Sequence, residues 1–234
     1  EALSEAASDE MVNAIKNNTR AVICMASGDS PKLTARLFVE KLLKSHIDYS
    51  QFTLVALDEW VGVPPENTGS CYQFFKQYVF EPLSLSVNQT LFFNSLAKDA
   101  KEECQKMDEA IAARGGIHLM LVGIGMNGHI GFNEPGVAEN LYAHVVPLDE
   151  ITQSVGQKYF QQSMVLKEGI TLGFQHLLES HKVILIANGG RKAAIIKKTM
   201  HDEISMQLPA TIMRKHANSI IMIDESAAAE ISGQ

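Results

Sequence analysis

The sequence predicts an α/β protein in which a doubly wound, mostly parallel sheet carries helices on both faces. Short, almost uninterrupted apolar runs recur along the 234-residue chain, and such strands are typical of a sheet that is buried on both faces. Each run leads into glycine-rich or acidic residues. Several of these are followed by a stretch whose apolar residues have helical spacing, which is the rhythm of strand–helix units.

Five apolar runs are the predicted strands, and they cover residues 21–25, 52–57, 117–122, 183–187 and 219–223. Two helices follow the first two strands, one beginning at Pro31 and one over residues 70–79. We expect one domain over residues 1–234, in which residues 136–165 could form a lid, because residues 136–142 have the composition of a mobile loop. The first helix is expected to bury Leu33, Leu37, Phe38, Leu42 and Leu43 on one face.

Charge and cysteine content restrict the class of partner. The net charge is −7 and Lys and Arg are not clustered, so a nucleic-acid partner is not expected, although a few local donors can hold a single phosphate. The apolar runs are too short to span a bilayer. The three cysteines, Cys24, Cys71 and Cys104, are widely spaced, as free thiols of a reducing compartment are. We expect a cytoplasmic protein without a membrane partner, either a monomer or a homo-oligomer.

The first strand runs into Ser27, Gly28, Asp29 and Ser30, directly before the helix predicted at Pro31. Backbone N–H groups and hydroxyls at a helix N-terminus form a common phosphate site. An ordinary turn with a helix cap has the same composition, so both interpretations stay open for this segment taken alone.

The second strand ends at Asp58 and Glu59. A buried carboxylate without a partner is costly, so two adjacent ones at a strand end indicate either a capping pair or a functional group. In the second case Asp58 would be a general base whose pKa is raised by a partly closed pocket.

Residues 123–135, GIGMNGHIGFNEP, carry the strongest chemical signal. Their glycines indicate a backbone that folds tightly beside a ligand, but no ribose-binding acid follows at the spacing that a dinucleotide site requires. His129 lies among the glycines, with Asn127 before it and Glu134 after it. A histidine shuttles protons near neutral pH, and an amide or carboxylate can orient its ring.

Other constellations are weaker. Lys192 begins another predicted helix and could grip a phosphate, and Lys158 is a candidate of the same kind. Most lysines, however, are solvated surface residues. The other histidines have no metal-ligand spacing, and the sequence has no GxSxG segment of a serine hydrolase. We therefore expect no metal.

Residues 57–62, LDEWVG, together with residues 123–136, GIGMNGHIGFNEPG, resemble the glucosamine-6-phosphate deaminase/isomerase family. The similarity runs from about residue 21 to about residue 223 and implies a Rossmann-like α/β fold. The galactosamine-6-phosphate isomerase branch is the most similar, on residues 2–8, 68–71 and 169–173 and on Trp60, where glucosamine-6-phosphate enzymes more often have Tyr.

The resemblance implies isomerisation and deamination of a hexosamine 6-phosphate to a ketohexose 6-phosphate and ammonia, without a cofactor. Galactosamine 6-phosphate is the favoured substrate and glucosamine 6-phosphate the next. Asp58 matches the carboxylate that moves a proton between C2 and C1, and His129 the histidine that opens the sugar ring. Glu134 matches the partner of that histidine, and Asn127 stands where many members have Asp.

By the same resemblance, residues 27–30 and Lys192 match phosphate-binding positions. Lys158 stands where many members have Arg, so it keeps the charge without the two-pronged grip of a guanidinium group.

Two alternatives remain. A 6-phosphogluconolactonase-type hydrolase shares the fold and the GxGxxGH segment, but usually has Asp at position 127 and lacks the continuation over residues 133–135. A sugar-phosphate-sensing domain of a transcription regulator would need a basic helix-turn-helix segment, which these residues do not show.

Overall fold

Six parallel strands form the central sheet of the protein. The structure is a computed structural model that describes residues 1–231. Residues 232–234 of the predicted domain lie outside the described part. Along the central sheet the strand order is β4-β2-β1-β5-β8-β9. The strands of the chain are β1 (Val22–Met25), β2 (Thr53–Ala56), β3 (Asp58–Trp60), β4 (Thr90–Leu91), β5 (Leu119–Val122), β6 (His144–Pro147), β7 (Glu168–Thr171), β8 (Val183–Ala187) and β9 (Ser219–Ile223).

Helices connect most of the strands. The α-helices are α1 (Ala2–Asn17), α2 (Asp29–Lys44), α3 (Cys71–Phe75), α4 (Glu81–Leu83), α5 (Ala100–Ala112), α6 (Glu150–Gly156), α7 (Phe174–Glu179) and α8 (Ala193–His201). A π-helical stretch, Lys76–Phe80, joins α3 to α4, and 3₁₀ turns cover Val87–Gln89, Gln157–Tyr159, Gly190–Lys192 and Pro209–Lys215. In residues 1–231 no helix is both long and apolar enough to cross a membrane.

The doubly wound parallel sheet predicted from the sequence is confirmed, and each of the five predicted strands is present. The sixth strand, β4, was not predicted because it is only two residues long and half-buried, so no apolar run marks it. The antiparallel strands β3, β6 and β7 were also missed, since charged residues interrupt the first and begin the last.

The predicted helices need two corrections. The first begins at Asp29 rather than Pro31, and its buried face consists of residues spaced three and four apart: Pro31, Thr34, Ala35, Phe38, Val39 and Leu42. Leu33 and Leu43, predicted to be buried, are exposed because they lie outside that face. The second helix begins at Cys71 and changes to π-helix at Lys76, a change that apolar spacing does not reveal.

Alternate side chains of each parallel strand pack on opposite faces of the sheet. In β1, Ile23 and Met25 belong to the core beneath α1 and α2, whereas Val22 and Cys24 belong to the core beneath α5, α7 and α8. Every residue of β1, β2, β5 and β8 is buried. Both faces of the sheet are therefore covered by helices, which explains the continuous apolar runs.

A second, antiparallel sheet of order β3-β7-β6 continues from the end of β2. Only Leu57 separates β2 from β3, and its carbonyl accepts a hydrogen bond of 2.9 Å from the N–H of Leu172. Asp58 is paired with Thr171 of β7. The chain thus passes from one sheet to the other at Asp58, which fixes the backbone there from both sides.

The strand order also fixes where a ligand can bind. β1 and β5 are neighbours at the centre of the sheet, and later strands are added outward from each in opposite directions. Doubly wound sheets bind ligands in the crevice beyond the carboxyl ends of the strands at such a point. Residues 27–30 follow β1, and the glycine-rich loop from Gly123 follows β5.

Packing of α2 on the sheet predicts the stability effect of one substitution. Phe38 is fully buried and meets the Phe52 ring edge-on at 6.2 Å between centroids. Phe38→Ala should lower the free energy of unfolding by about 3–5 kcal/mol, because it leaves a cavity. Leu43→Ala on the same helix removes a side chain that is 54% exposed. This substitution should change the free energy of unfolding by less than about 0.5 kcal/mol. Urea denaturation of both variants checks this, and equal losses would contradict the assigned face.

Candidate active site

A cavity of about 350 Å³ lies where residues after β1, β2 and β5 converge, closed on one side by α6 and the turn after it. Asn127 and Glu134 are not part of its wall and lie behind His129. The other predicted site residues all line the cavity: Ser27, Gly28, Asp29, Ser30, Asp58, His129, Lys158 and Lys192.

The turn after β1 brings the first turn of α2 to the cavity. Gly28 has φ +110°, a conformation that L side chains rarely adopt, and α2 begins at the next residue, Asp29. A Cβ atom at Gly28 would also lie 3.0 Å from the hydroxyl oxygen of Tyr159. The N–H groups of a first helical turn have no partner within the helix, so this end of the cavity suits an anion.

Two lysine side chains reach the cavity from different elements. Lys158 forms an ion pair with Asp29, 2.7 Å between Nζ and Oδ2, and Lys192 donates a hydrogen bond of 2.6 Å to the carbonyl of Ile124. Burial of Lys192, reinforced by repulsion from Lys158 and Arg191, lowers its pKa to about 8. These cations add positive charge to the wall that includes the α2 N-terminus.

The carboxylate of Asp58 is buried and has little hydrogen bonding to offset the cost of burying its charge. Its residue is 8% exposed, and its Oδ1 accepts a 3.5 Å contact from the thiol of Cys71. Burial, followed by the charge of Glu59, raises the pKa of Asp58 to about 7, against a smaller lowering by Cys71. Such a carboxyl group can accept a proton and return it near neutral pH.

Glu59 is a structural capping residue. Its Oε1 accepts hydrogen bonds from the N–H groups of Trp60 (2.9 Å) and Cys71 (3.0 Å), and its Oε2 from the Ser70 hydroxyl (2.7 Å) and the Tyr72 N–H (2.8 Å). The carboxylate thus holds the first turn of α3 against β3. Of the two interpretations of the acidic pair, capping applies to Glu59 and the functional one fits Asp58.

Glu134, Asn127 and Thr152 orient the His129 ring. Nδ1 of His129 lies 3.1 Å from Thr152 Oγ1 and 3.3 Å from Glu134 Oε2. Asn127 donates to Glu134 Oε2 at 2.8 Å and accepts from the His129 N–H at 3.2 Å. Burial opposes ionisation of Glu134. Hydrogen bonds from His129, Thr152 and Asn127, together with the charge of His129, outweigh burial and lower the pKa of Glu134. Nδ1 of His129 is therefore engaged by Thr152 and Glu134, so Nε2 is the ring nitrogen that remains available to the cavity.

The loop that carries His129 is shaped by close contacts. A Cβ atom at Gly125 would overlap the His129 ring, so the ring fits only against glycine. Asn133 donates hydrogen bonds to the carbonyls of Ile130 (2.9 Å) and Leu172 (2.8 Å), which tie the loop to the end of β7.

Sequence reasoning missed three cavity residues that touch the predicted ones. Thr152 contacts His129 from α6, a helix that was not predicted, and no local motif marks it. Tyr159 covers Gly28, and its place beside Lys158 was the available signal. Cys71 contacts Asp58, but from the sequence it was interpreted only as a free thiol and as part of residues 68–71.

The arrangement brings a buried carboxyl group with a raised pKa, an oriented histidine and a helix N-terminus with two lysines beside it to one cavity. This combination suits proton transfer on a small phosphorylated substrate. Within residues 1–231, no group of three or more His, Cys, Asp or Glu side chains is arranged so that it could hold a metal ion.

Comparisons with known proteins agree with this geometry. The profile of the glucosamine-6-phosphate isomerases/6-phosphogluconolactonase family matches residues 1–222. A glucosamine-6-phosphate deaminase of Clostridium perfringens (strain 13 / Type A) is 34% identical over 97% of this chain and 95% of its own. The solved structure of a monomeric glucosamine-6-phosphate deaminase, described as a missing link of the NagB superfamily, has a TM-score of 0.93 at 30% identity and covers 97% and 95% of the two chains.

A 6-phosphogluconolactonase from Trypanosoma cruzi matches with a TM-score of 0.80 at 17% identity, covering 98% of this chain and 93% of its own, and this likeness shows the fold alone. The family match over nearly the whole chain, together with the identity to the deaminases, settles the classification. The chain belongs to the family of glucosamine-6-phosphate isomerases and 6-phosphogluconolactonases.

Proposed function

We propose that the protein converts a hexosamine 6-phosphate into a ketohexose 6-phosphate and ammonia. The observation that carries the proposal is the buried Asp58, with a pKa of about 7, in the same cavity as His129. The identity to glucosamine-6-phosphate deaminases supports it. The lactonase alternative has support only from the shared fold and the family name.

The substrate phosphate would bind at the first turn of α2, where free N–H groups, the hydroxyls of Ser27 and Ser30, and the cations Lys158 and Lys192 border the cavity. The Asp29 carboxylate is paired with Lys158, so its contribution would be the backbone N–H. Residues 136–165 would act as the lid, since α6 and Lys158 cover this end.

His129 would open the pyranose ring by moving a proton between the anomeric hydroxyl and the ring oxygen. Its Nδ1 is engaged by Thr152 and Glu134, so Nε2 is the nitrogen that would serve the substrate. Glu134 and Asn127 would act through His129 as positioning residues, because neither lines the cavity.

Asp58 would then carry one proton from C2 to C1 of the open sugar. Removal of this proton from C2, which is acidified by the neighbouring aldehyde and ammonium groups, gives an enolamine once the ammonium group has passed a proton to the aldehyde oxygen. Return of the proton to C1 makes a primary alcohol and leaves an iminium at C2. Water adds to C2 and ammonia leaves, so the C–N bond breaks as a ketone forms. One carboxyl group near its pKa can serve both steps, since proton transfer works best when pKa and pH match.

We further propose that galactosamine 6-phosphate is the preferred substrate. Trp60 lines the cavity and is packed between Phe132 (4.5 Å between centroids) and Phe160 (6.0 Å), so its indole forms a fixed wall. The two amino sugars differ only at C4, which the catalytic groups do not contact. Discrimination between the two substrates would come from whether the cavity wall offers the C4 hydroxyl a hydrogen-bond partner.

The test is ammonia release from both amino-sugar phosphates, with 6-phosphogluconolactone hydrolysis assayed in parallel. Ammonia together with a ketohexose 6-phosphate supports the proposal. Lactone hydrolysis without ammonia from either amino sugar would favour the hydrolase alternative.

Asp58→Asn should lower kcat by about 100-fold or more, with substrate binding nearly unchanged, because it removes the base and keeps the size of the side chain. Steady-state kinetics and calorimetric binding measure both. The control is Asp108→Asn, a carboxylate on α5 that pairs with His176 and does not line the cavity. An Asp58→Asn enzyme that keeps more than about a tenth of the normal kcat would remove Asp58 from this role.

The pH dependence follows from two shifted groups. Asp58 must be ionised to accept a proton, so kcat/KM should rise as the pH passes through about 7. Lys192 must be protonated to bind phosphate, so kcat/KM should fall above about pH 8. A bell-shaped profile with a narrow maximum is expected. An acid limb below about pH 5 would mean that Asp58 behaves as an ordinary carboxyl group.

Galactosamine 6-phosphate should have a kcat/KM about ten- to a hundredfold higher than glucosamine 6-phosphate, since leaving one buried hydroxyl unpaired costs about 1–3 kcal/mol. Parallel assays of the two epimers measure the ratio. A ratio that favours glucosamine 6-phosphate would reject the preference and leave the proton-transfer scheme intact.

A further inference from the structure

The thiol of Cys71 meets the carboxylate of Asp58. Cys71 is the first residue of α3, is 4% exposed and lines the cavity. Its N–H is held by Glu59, and its Sγ lies 3.5 Å from Oδ1 of Asp58, within hydrogen-bond range for sulfur. The capping of α3 by Glu59 therefore also holds the backbone from which the thiol projects.

Within residues 1–231 this thiol is the one side-chain hydrogen-bond donor on Asp58. The rest of the surroundings do not favour its charge. Burial opposes the ionisation of Asp58 most, followed by the charge of Glu59 on the same strand. On β1, the buried thiol of Cys24 has its pKa raised by burial and by Asp58, so it is neutral. The titratable and charged groups on the other walls of the same cavity are His129, Lys158, Lys192, Asp29, Lys32, Tyr78 and Tyr159.

We propose that Cys71 is a positioning residue for Asp58, whose thiol donates a hydrogen bond that holds the carboxylate in place and favours its charged form. The proposal rests on the proposed function only in treating Asp58 as the base. The contact between the two side chains stands independently of the reaction.

A thiol suits this position because it is a weak donor. A hydroxyl or N–H donor at short range would stabilise the carboxylate more strongly and reduce its basicity. Burial, followed by the charges of Glu59 and Asp58, raises the pKa of Cys71 well above its usual value, so the sulfur keeps its proton and acts as a donor. Cys71 is thus not suited to act as a nucleophile, since that role needs a thiolate.

Two substitutions separate hydrogen bonding from packing. Cys71→Ala removes the donor and opens space for water, whereas Cys71→Val removes the donor and fills the space. If the thiol favours the charged carboxylate, both variants should move the acid limb of kcat/KM upward by about 0.5–1 pH unit. A purely structural role would move it in opposite directions or not at all, since water lowers and added apolar volume raises the pKa of a buried carboxyl.

Cys104→Ala is the matched control, because Cys104 is a buried thiol on α5 that is not part of the cavity wall. The acid limb of kcat/KM for the Cys104→Ala variant should coincide with that of the parent protein. Thermal unfolding of all three variants identifies any that does not fold.

Titration of Asp58 by carbon NMR of its carboxyl group, assigned through Asp58→Asn, gives a readout that needs no substrate. An upward shift in both Cys71 variants supports the inference even if neither amino sugar releases ammonia, in which case the proposed function alone fails. Unchanged or opposite shifts overturn it. Should the variants not fold, the infrared S–H band of the parent protein decides: it should move to lower frequency as Asp58 ionises, and a pH-independent band would overturn the inference.

Discussion

Burial of two adjacent carboxylates at the junction of the two sheets is the constraint on which the site depends. Asp58 and Glu59 are both buried, yet only Glu59 receives a full set of hydrogen bonds, from the first turn of α3 and from Trp60. Burial raises the pKa of Glu59, its hydrogen bonds oppose that rise, and its charge in turn disfavours ionisation of Asp58. The helix cap and the raised pKa of Asp58 are therefore two results of one arrangement.

The fold makes this arrangement rigid. The passage from β2 through Leu57 into β3 gives Asp58 a backbone held by two sheets, and its partner on β7 is Thr171. Leu172, directly after β7, accepts a hydrogen bond from Asn133 that anchors the loop of His129. A short antiparallel sheet outside the main core thus sets the positions of both Asp58 and His129. Under the proposed function, rigid support of this kind would keep the two groups aligned without a cost at the time of reaction.

The parallel sheet, the convergence of segments at its carboxyl edge and the candidate residues could be predicted from the sequence. Apolar runs at positions such as 183–187 mark strands directly, and glycines around His129 mark a tight loop. The second sheet could not be predicted, since its strands are short and contain Asp58, Glu59 and Glu168. The contacts of Thr152 and Cys71 are long-range side-chain contacts, which no local pattern records.

The carboxyl groups of Asp58 and Glu134 differ in the way that the proposed acid–base chemistry requires. Asp58 has one weak donor and a charged neighbour, so its pKa is raised to about 7. Glu134 has several donors and the histidine, so its pKa is lowered and its charge is kept. Asn127 contributes to this difference, because its amide donates to Glu134, whereas an aspartate there would place a second charge against the same oxygen. When their environments shift the pKa values of two carboxyl groups in opposite directions, one group is suited to carry a proton and the other to keep its charge in place. The amide at position 127 therefore preserves the charge on Glu134 beside His129.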